Sequence, residues 1–148
     1  MQAGLAAVLM IDDHEPDVVY TRIMLQRCGR FGRLEHLESA EEALALFEGY
    51  ELARIEHPWF PPLVILLDIN MPRMNGFEFL ERFERIAITL RERGEEPSVV
   101  VMLSSSGARV ERERAAAFES VKDFVVKPIT VDKAIRLADS LGLGSASP

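Results

Sequence analysis

Five short apolar runs, rich in β-branched residues, constrain the fold of this chain more than any other feature. They occupy residues 7–11, 34–37, 63–67, 99–103 and 124–126. Four of the runs have the continuous hydrophobicity of strands buried on both faces, whereas the second, LEHL, alternates as an edge strand with one wet face does. Between the runs, apolar residues recur at helical spacing, and parallel strands need such crossover connections. The pattern therefore predicts a doubly wound α/β domain.

The size of the chain indicates one domain. It has 148 residues, of which 48% are apolar, enough to bury a single core. We expect one domain over residues 1–148, with a core of about 6–143 and a short flexible tail, GLGSASP.

Local patterns predict several helix and loop positions. Ser39 and Glu42 have the spacing of a capping box at the start of a helix, and the pattern of residues 76–90 predicts an amphipathic helix. The prolines of HPWFPP at 57–62 predict a loop.

Charge and cysteine content exclude several classes of protein. The formal net charge of −7 disfavours direct binding to nucleic acid or to an anionic membrane surface. The single cysteine, Cys28, leaves no disulfide framework and favours a reducing compartment. No apolar run is long enough to span a bilayer, and the first residues lack a basic region and a cleavage site. We therefore expect a cytoplasmic protein.

Polar residues follow the predicted strands where each one ends. Asp12 and Asp13 follow the first, Asp68 ends the third, three serines follow the fourth, and Lys127 ends the fifth. Taken singly, Asp12 or Asp13 is as typical of a helix cap or solvated turn as of a functional site, whereas Asp68 stands out because it follows the apolar run LVILL. Because the carboxyl ends of parallel strands form one edge, however, three carboxylates there predict a divalent cation, Mg²⁺ or Mn²⁺. A lysine and a serine hydroxyl beside such a cation would bind an anion at the same edge. A metal ion and a lysine around a carboxylate are typical of sites that transfer a phosphoryl group.

Four segments occur in an order that resembles a known family. They are MIDDHE, LLDINMPRMNG, MLSSS and FVVKP, and the likeness covers residues 6–143. The chain resembles the receiver domain of two-component response regulators. The resemblance implies a flavodoxin-like (βα)5 fold with a five-stranded parallel sheet in the order 2-1-3-4-5.

The resemblance also assigns roles to the polar residues. It implies that Asp68 is the phosphoacceptor, which takes a phosphoryl group from a sensor histidine kinase or a phosphotransfer protein. Asp13 corresponds to the acid that binds Mg²⁺ directly, Asp12 to a neighbour that holds it through water, and Asn70 to the residue whose backbone carbonyl is a further ligand. Lys127 corresponds to the lysine that pairs with the phosphoryl oxygens, before a proline bond that is commonly cis in the family.

Further positions correspond to the family's conformational switch. Ser104 matches the switch hydroxyl, with Ser105 as the alternative, and Phe124 matches the aromatic ring that follows its movement. Asn70 and Ser106 stand where the family tunes the lifetime of the acyl phosphate. The resemblance further implies that Met71, Pro72 and Gly76 shape the loop after the phosphoacceptor.

These assignments favour a single-domain signalling switch that is an enzyme only in catalysing its own phosphorylation and slow dephosphorylation. We expect no output domain after Leu141, and hence an unknown downstream protein as partner. The alternative is a receiver-like module that binds its partner without phosphorylation. A phosphohydrolase is disfavoured because Asn70 stands where it would need an acid. The long 47–62 region is similar to stand-alone receivers paired with phytochrome-type or other hybrid kinases. The alternating charges at 109–114 are compatible with salt bridges between two subunits of a homodimer, but they are more typical of a solvated helix face.

Overall fold

Strands and helices alternate along the chain. The computed structural model describes residues 5–144. The strands are β1 (Val8–Ile11), β2 (Leu34–Leu37), β3 (Val64–Asp68), β4 (Val99–Ser104) and β5 (Val121–Val126). The helices are α1 (Glu15–Cys28), α2 (Ala40–Glu48), α3 (Tyr50–Glu56), α4 (Gly76–Glu92), α5 (Arg109–Ala116) and α6 (Val131–Ser140).

The five strands form one sheet in the order β2-β1-β3-β4-β5, and all neighbouring strands are parallel. This is the predicted flavodoxin-like architecture, so the fold expected from the sequence is confirmed. In the register, Ile11 pairs with Leu67, and Asp68 pairs with Leu103. The carboxyl ends of the three central strands therefore lie side by side, which brings the polar residues that follow them to one edge.

The sheet separates two apolar layers because successive side chains of a strand point to opposite faces. On one face, residues such as Leu9, Ile65 and Met102 pack under α2, α3, α4 and α5. On the other face, residues such as Met10 and Leu66 pack under α1 and α6. Burial on both faces explains why the central strands have continuous apolar sequences.

The fifth strand corrects two expectations. It begins at Val121 rather than at residue 124, and it is not buried on both faces, since all of its residues are partly or fully exposed. The physical reason is its position at the edge of the sheet, where the covering helix α5 has eight residues and buries only Ala115. Lys122 is exposed and Asp123 is partly exposed, and these two polar residues interrupt the apolar pattern of the strand.

The helix starts follow from local capping. The Ser39 hydroxyl accepts a hydrogen bond from the Glu42 amide at the start of α2, as the sequence predicts. The complete capping box lies at α4, where the Asn75 side chain and the Glu78 side chain each bond the other residue's backbone amide. The predicted second helix is divided into α2 and α3 at Gly49, which is the C-cap of one and the N-cap of the other.

The 57–62 segment is irregular, as predicted, and connects α3 to the start of β3. Phe60 is buried against Phe47 and Tyr50, with ring centroids 5.0 and 5.3 Å away. Trp59 packs on the edge of Phe60 and lines a shallow cavity with Ala7, at the amino end of the sheet.

At the other end of the chain, Leu143 packs against the core and its amide donates to the Ala138 carbonyl, whereas residues 145–148 of the predicted tail lie outside the described range. Over residues 5–144, no helix combines the length and the apolar character needed to cross a membrane.

Candidate functional site

Three carboxylates meet at the carboxyl edge of the sheet. Asp12 follows β1 and is completely buried, Asp68 is the last residue of β3 and is 4% exposed, and Asp13 faces solvent. One oxygen from each carboxylate lies within 4.8 Å of the other two. Oxygen ligands at this spacing suit a hard divalent cation such as Mg²⁺ or Mn²⁺, so the residues present fit such an ion.

Lys127 supplies the positive charge of this cluster. Its Nζ lies 2.8 Å from Asp12 Oδ2 and 3.3 Å from Asp68 Oδ1. The backbone amide of Lys127 donates to the Ser104 carbonyl at 2.8 Å, which ties the end of β5 to the end of β4. The Lys127–Pro128 peptide bond is cis, as the resemblance led us to expect. The structure thus brings together the two acids and the lysine that sequence reasoning placed at separate strand ends.

The surroundings of Asp68 disfavour the ionised form of its carboxyl group. Burial, and then the neighbouring charge of Asp12, raise the pKa of Asp68 from 3.8 to about 6, although Lys127 acts against them. Burial alone would lower the pKa of Lys127, but hydrogen bonds to Asp12 and Asp17 and the surrounding negative charge raise it above its ordinary value. Lys127 therefore stays charged, and a further cation at this edge would lower the pKa of Asp68 again by stabilising its ionised form.

Asp17 is a member of the cluster that sequence reasoning missed. It lies in the first turn of α1, and its Oδ2 accepts from Lys127 Nζ at 3.0 Å and lies 3.2 Å from His14 Nδ1. Burial raises the pKa of Asp17, but the hydrogen bond and charge of Lys127 outweigh it and the net shift is downward. Sequence reasoning considered only the residues at strand ends, whereas Asp17 reaches the cluster from the first turn of α1.

Ser104 ends β4 and is completely buried. Its Oγ accepts hydrogen bonds from the amides of Gly107 at 2.9 Å and Ser106 at 3.2 Å. It donates to Glu111 Oε1 on α5 at 2.6 Å, and Ser106 Oγ donates to the same oxygen at 2.9 Å. Ser105 is exposed. Sequence reasoning missed Glu111, because seven residues separate it from Ser104 and only the turn between β4 and α5 brings them together.

The remaining predicted residues lie around this centre. Asn70 is exposed two residues after Asp68, and a hydrogen bond from its backbone amide acts to lower the pKa of Asp68. Phe124 lies partly buried on β5, paired in register with Met102, and the guanidinium of Arg112 lies 4.5 Å from its ring centroid. Phe124 therefore contacts the helix that carries Glu111.

The loop after Asp68 is shaped by close backbone contact. The Gly76 amide donates to the Ile69 carbonyl at 2.9 Å, which closes the loop, and Met71 is buried beneath it while Pro72 is exposed. A Cβ at Gly76 would lie 2.7 Å from the Asp68 carbonyl oxygen. Only glycine fits there without moving the backbone of Asp68.

The geometry agrees with the comparison to known families. The sequence model of the response regulator receiver domain matches residues 8–139. The chain belongs to the receiver domain family. Receiver domains in general are switches rather than enzymes, bind a divalent metal, and interact with histidine kinases or phosphotransfer proteins.

Relatives and solved structures show the same likeness. The receiver is 32% identical over 125 residues to the virulence sensor protein BvgS of Bordetella bronchiseptica, covering 84% of this chain but only 9% of that protein's length. It is similar to a two-component response regulator from Cytophaga hutchinsonii, with 25% identity, a TM-score of 0.76, and coverage of 93% of this chain and 98% of the other. It is also similar to the bacteriophytochrome response regulator AtBRR, with 28% identity, a TM-score of 0.71 and 97% coverage of each chain.

Proposed function

We propose that this receiver is a phosphorylation switch in which Asp68 accepts a phosphoryl group from a histidine kinase or a phosphotransfer protein. The observation that carries the proposal is the position of Asp68. Its carboxylate is nearly buried, lies 3.3 Å from Lys127 Nζ, and shares a possible cation pocket with Asp12 and Asp13. A buried carboxylate beside a lysine and further acids is suited to forming an acyl phosphate.

The proposed reaction is a transfer between two nucleophiles. An Asp68 carboxylate oxygen attacks the phosphorus of a phosphohistidine, an O–P bond forms and the P–N bond breaks. The imidazole nitrogen keeps the electron pair and is protonated by solvent. Lys127 neutralises negative charge on the phosphoryl oxygens, and its raised pKa keeps it protonated for this role.

Metal binding belongs to the same proposal. Asp13, Asp68 and the backbone carbonyl of Asn70 would hold Mg²⁺ or Mn²⁺, with Asp12 acting through water. When bound, the cation supplies positive charge that stabilises the phosphoryl oxygens. The charges support this proposal, because Asp12, Asp13 and Asp68 bring three carboxylates together, Lys127 pairs with only two of them, and the pKa of Asp68 is already raised.

We further propose that phosphorylation changes a protein-binding surface. Ser104 would turn toward the phosphoryl group and Phe124 would follow, altering the face formed by α5, β5 and α6, while Asn70 and Ser106 tune how long the acyl phosphate survives. Contact between Phe124 and Arg112 of α5 supports such a link. In this proposal residues 1–148 act as one receiver domain that signals through a downstream protein, and homodimerisation remains an outcome to test.

The test is intact mass after incubation with acetyl phosphate and Mg²⁺. We expect one phosphoryl adduct on the wild type, none on Asp68→Asn, and none when Mg²⁺ is removed with a chelator. Asp132→Asn is the matched control, since Asp132 is an exposed carboxylate in the first turn of α6 that belongs neither to the carboxylate cluster nor to the ion pairs of Lys127, and it should be labelled like the wild type. Absence of an adduct on the wild type, together with no binding of fluoroberyllate, would favour the phosphorylation-independent interaction module instead.

The phosphoryl donor can be narrowed in a second step. The likeness to the bacteriophytochrome response regulator AtBRR supports a phytochrome-type kinase as donor. Radiolabelled phosphotransfer from a purified phytochrome-type kinase should exceed transfer from an unrelated hybrid kinase, with Asp68→Asn as the blank. Equal or slower transfer from the phytochrome-type kinase would remove this part of the proposal.

A further inference from the structure

The contact between Ser104 and Glu111 is unusual for a helix start. Glu111 is the third residue of α5, a position from which a glutamate commonly bonds back to the amide of the N-cap residue. Glu78 does this at α4, where its carboxylate accepts from the Asn75 amide. In α5 the N-cap is Ala108, whose amide donates to Ser106 Oγ, and the Glu111 carboxylate accepts from two hydroxyls instead.

Those two hydroxyls include the one assigned to the switch. Ser104 Oγ has a single proton, and that proton is donated to Glu111 Oε1 at 2.6 Å. A phosphoryl oxygen on Asp68 would need the same proton. Because bonds from a hydroxyl to an ionised carboxylate are roughly twice as strong as neutral ones, Glu111 is an effective competitor for Ser104.

We propose that Glu111 is a positioning residue of the switch. It holds the Ser104 hydroxyl, and with it the 104–107 turn, in the orientation of the unphosphorylated protein. Phosphorylation would exchange one anion for another as the partner of this hydroxyl, and would release the first turn of α5. The inference rests on the proposed role of Asp68 as phosphoacceptor and deepens it.

The release would be transmitted through the next residue. Arg112 follows Glu111 on α5, and its guanidinium lies over the Phe124 ring, 4.5 Å from the centroid. Loss of the bond between Ser104 and Glu111 frees the turn that places this guanidinium. The exchange at Ser104 would therefore reach the ring of Phe124 through Glu111, the first turn of α5 and Arg112.

The test compares Glu111→Gln with Glu113→Gln. Glu113 lies on the same helix, is exposed and pairs with Arg109, so it is matched in charge but does not touch Ser104. In the metal-free protein, we expect Glu111→Gln to shift the NMR amide signals of Ser106 and Gly107, which donate to Ser104 Oγ, and Glu113→Gln to leave them unchanged. Glu111→Ala, which removes the acceptor completely, should give a larger shift.

The second measurement is the affinity for fluoroberyllate in the presence of Mg²⁺. Weakening the competing bond should tighten binding about three- to tenfold in Glu111→Gln, but not in Glu113→Gln. In a Ser104→Ala background the Glu111→Gln effect should disappear, because the shared proton is gone.

Each contrary outcome has a distinct meaning. Tightening that persists in the Ser104→Ala background would indicate charge repulsion alone and would overturn the positioning role. A wild type that binds fluoroberyllate, with Glu111→Gln unchanged in affinity and amide signals, would overturn only the role of Glu111. A wild type that neither binds fluoroberyllate nor is phosphorylated would overturn the proposed function, and the inference with it.

Discussion

Lys127 shares its ammonium group among Asp12, Asp17 and Asp68, while Asp13 lies beside them in solvent. One cation therefore faces four carboxylates within a few residues of the strand ends. Asp68 bears the largest consequence, because it is buried and lies near the charge of Asp12. The folded protein without a metal is held in an electrostatically unfavourable state at neutral pH.

Removing the charge of Asp68 should therefore stabilise the metal-free protein. We expect Asp68→Asn to raise the free energy of unfolding by about 1–3 kcal/mol above pH 6, since a pKa of about 6 against 3.8 favours protonation of the folded state. Lys127 would keep Asp12 and Asp17 as partners. The gain should shrink as the pH falls from 6 and be lost below 3.8, where the carboxyl is protonated in both states.

Urea unfolding between pH 4 and pH 8 in the presence of a chelator measures this difference. Asp132→Asn, at an exposed position of α6, is the control and should show no comparable pH-dependent gain. A stability gain that is the same at all pH values would assign the effect to the amide group rather than to the charge.

Sequence reasoning could place Asp12, Asp13, Asp68 and Lys127 together because each lies at the end of a strand or within two residues of it, and parallel strands end at one edge. Their roles in phosphoryl transfer stay predictions. Asp17 and Glu111 were not predicted as site residues because they reach the site from the first turns of helices. The position of a helix's first turn depends on loop geometry and packing, which strand periodicity does not encode.

At the scale of strands and helices, the predictable parts are those governed by local pattern. Continuous apolar runs located β1, β3 and β4, because both faces of these strands are buried. The predicted start of β5 was wrong because the polar residues of this strand lie at the edge of the sheet. The division of α2 from α3 at Gly49 was missed because it does not change the apolar pattern of the sequence. Whether a strand lies at an exposed edge depends on the strand order of the sheet, which the sequence of that one strand does not reveal.

The loop between β3 and α4 depends on the absence of a side chain at Gly76. We expect Gly76→Ala to lower the free energy of unfolding by about 1–3 kcal/mol, because the added methyl group would lie 2.7 Å from the Asp68 carbonyl oxygen, a backbone atom that cannot rotate away. Acetyl phosphate labelling of Asp68 should fall as well, since the loop must shift.

Gly49→Ala is the matched control for this substitution. At Gly49 the nearest atom to an added Cβ is the Ala45 carbonyl oxygen at 3.5 Å, an ordinary contact. Replacement there should be neutral or should stabilise the protein by up to about 1 kcal/mol. Equal urea midpoints for the two variants would contradict the proposed crowding at Gly76.

Across the whole molecule, burial is greatest in the central strands and decreases toward β5. Every residue of β1 and β3 is buried, whereas each residue of β5 retains exposure under a short, highly charged α5. Resistance to local opening should follow the same gradient, because it depends on buried apolar contact. We therefore expect the edge formed by β5 and α5 to open more readily than the central strands.

Native-state amide hydrogen exchange tests this gradient. We expect hydrogen-bonded amides of β3 to exchange slowest, and those of β5 and α5 to exchange at least about tenfold faster at pH 7 without denaturant. Peptide-resolved mass spectrometry would separate these regions. Uniform protection of all five strands would show that the sheet opens only as a single cooperative unit.

Trp59, the only tryptophan of the chain, packs on Phe60 at the amino end of the sheet, whereas Asp68 ends β3. The length of β3 places roughly 16 Å of strand between the two ends. Intrinsic fluorescence excited at the indole is consequently an optical reporter of global unfolding that is insulated from chemistry at the opposite edge. A change in its emission is therefore expected to report unfolding of the chain rather than occupancy of the carboxylate cluster.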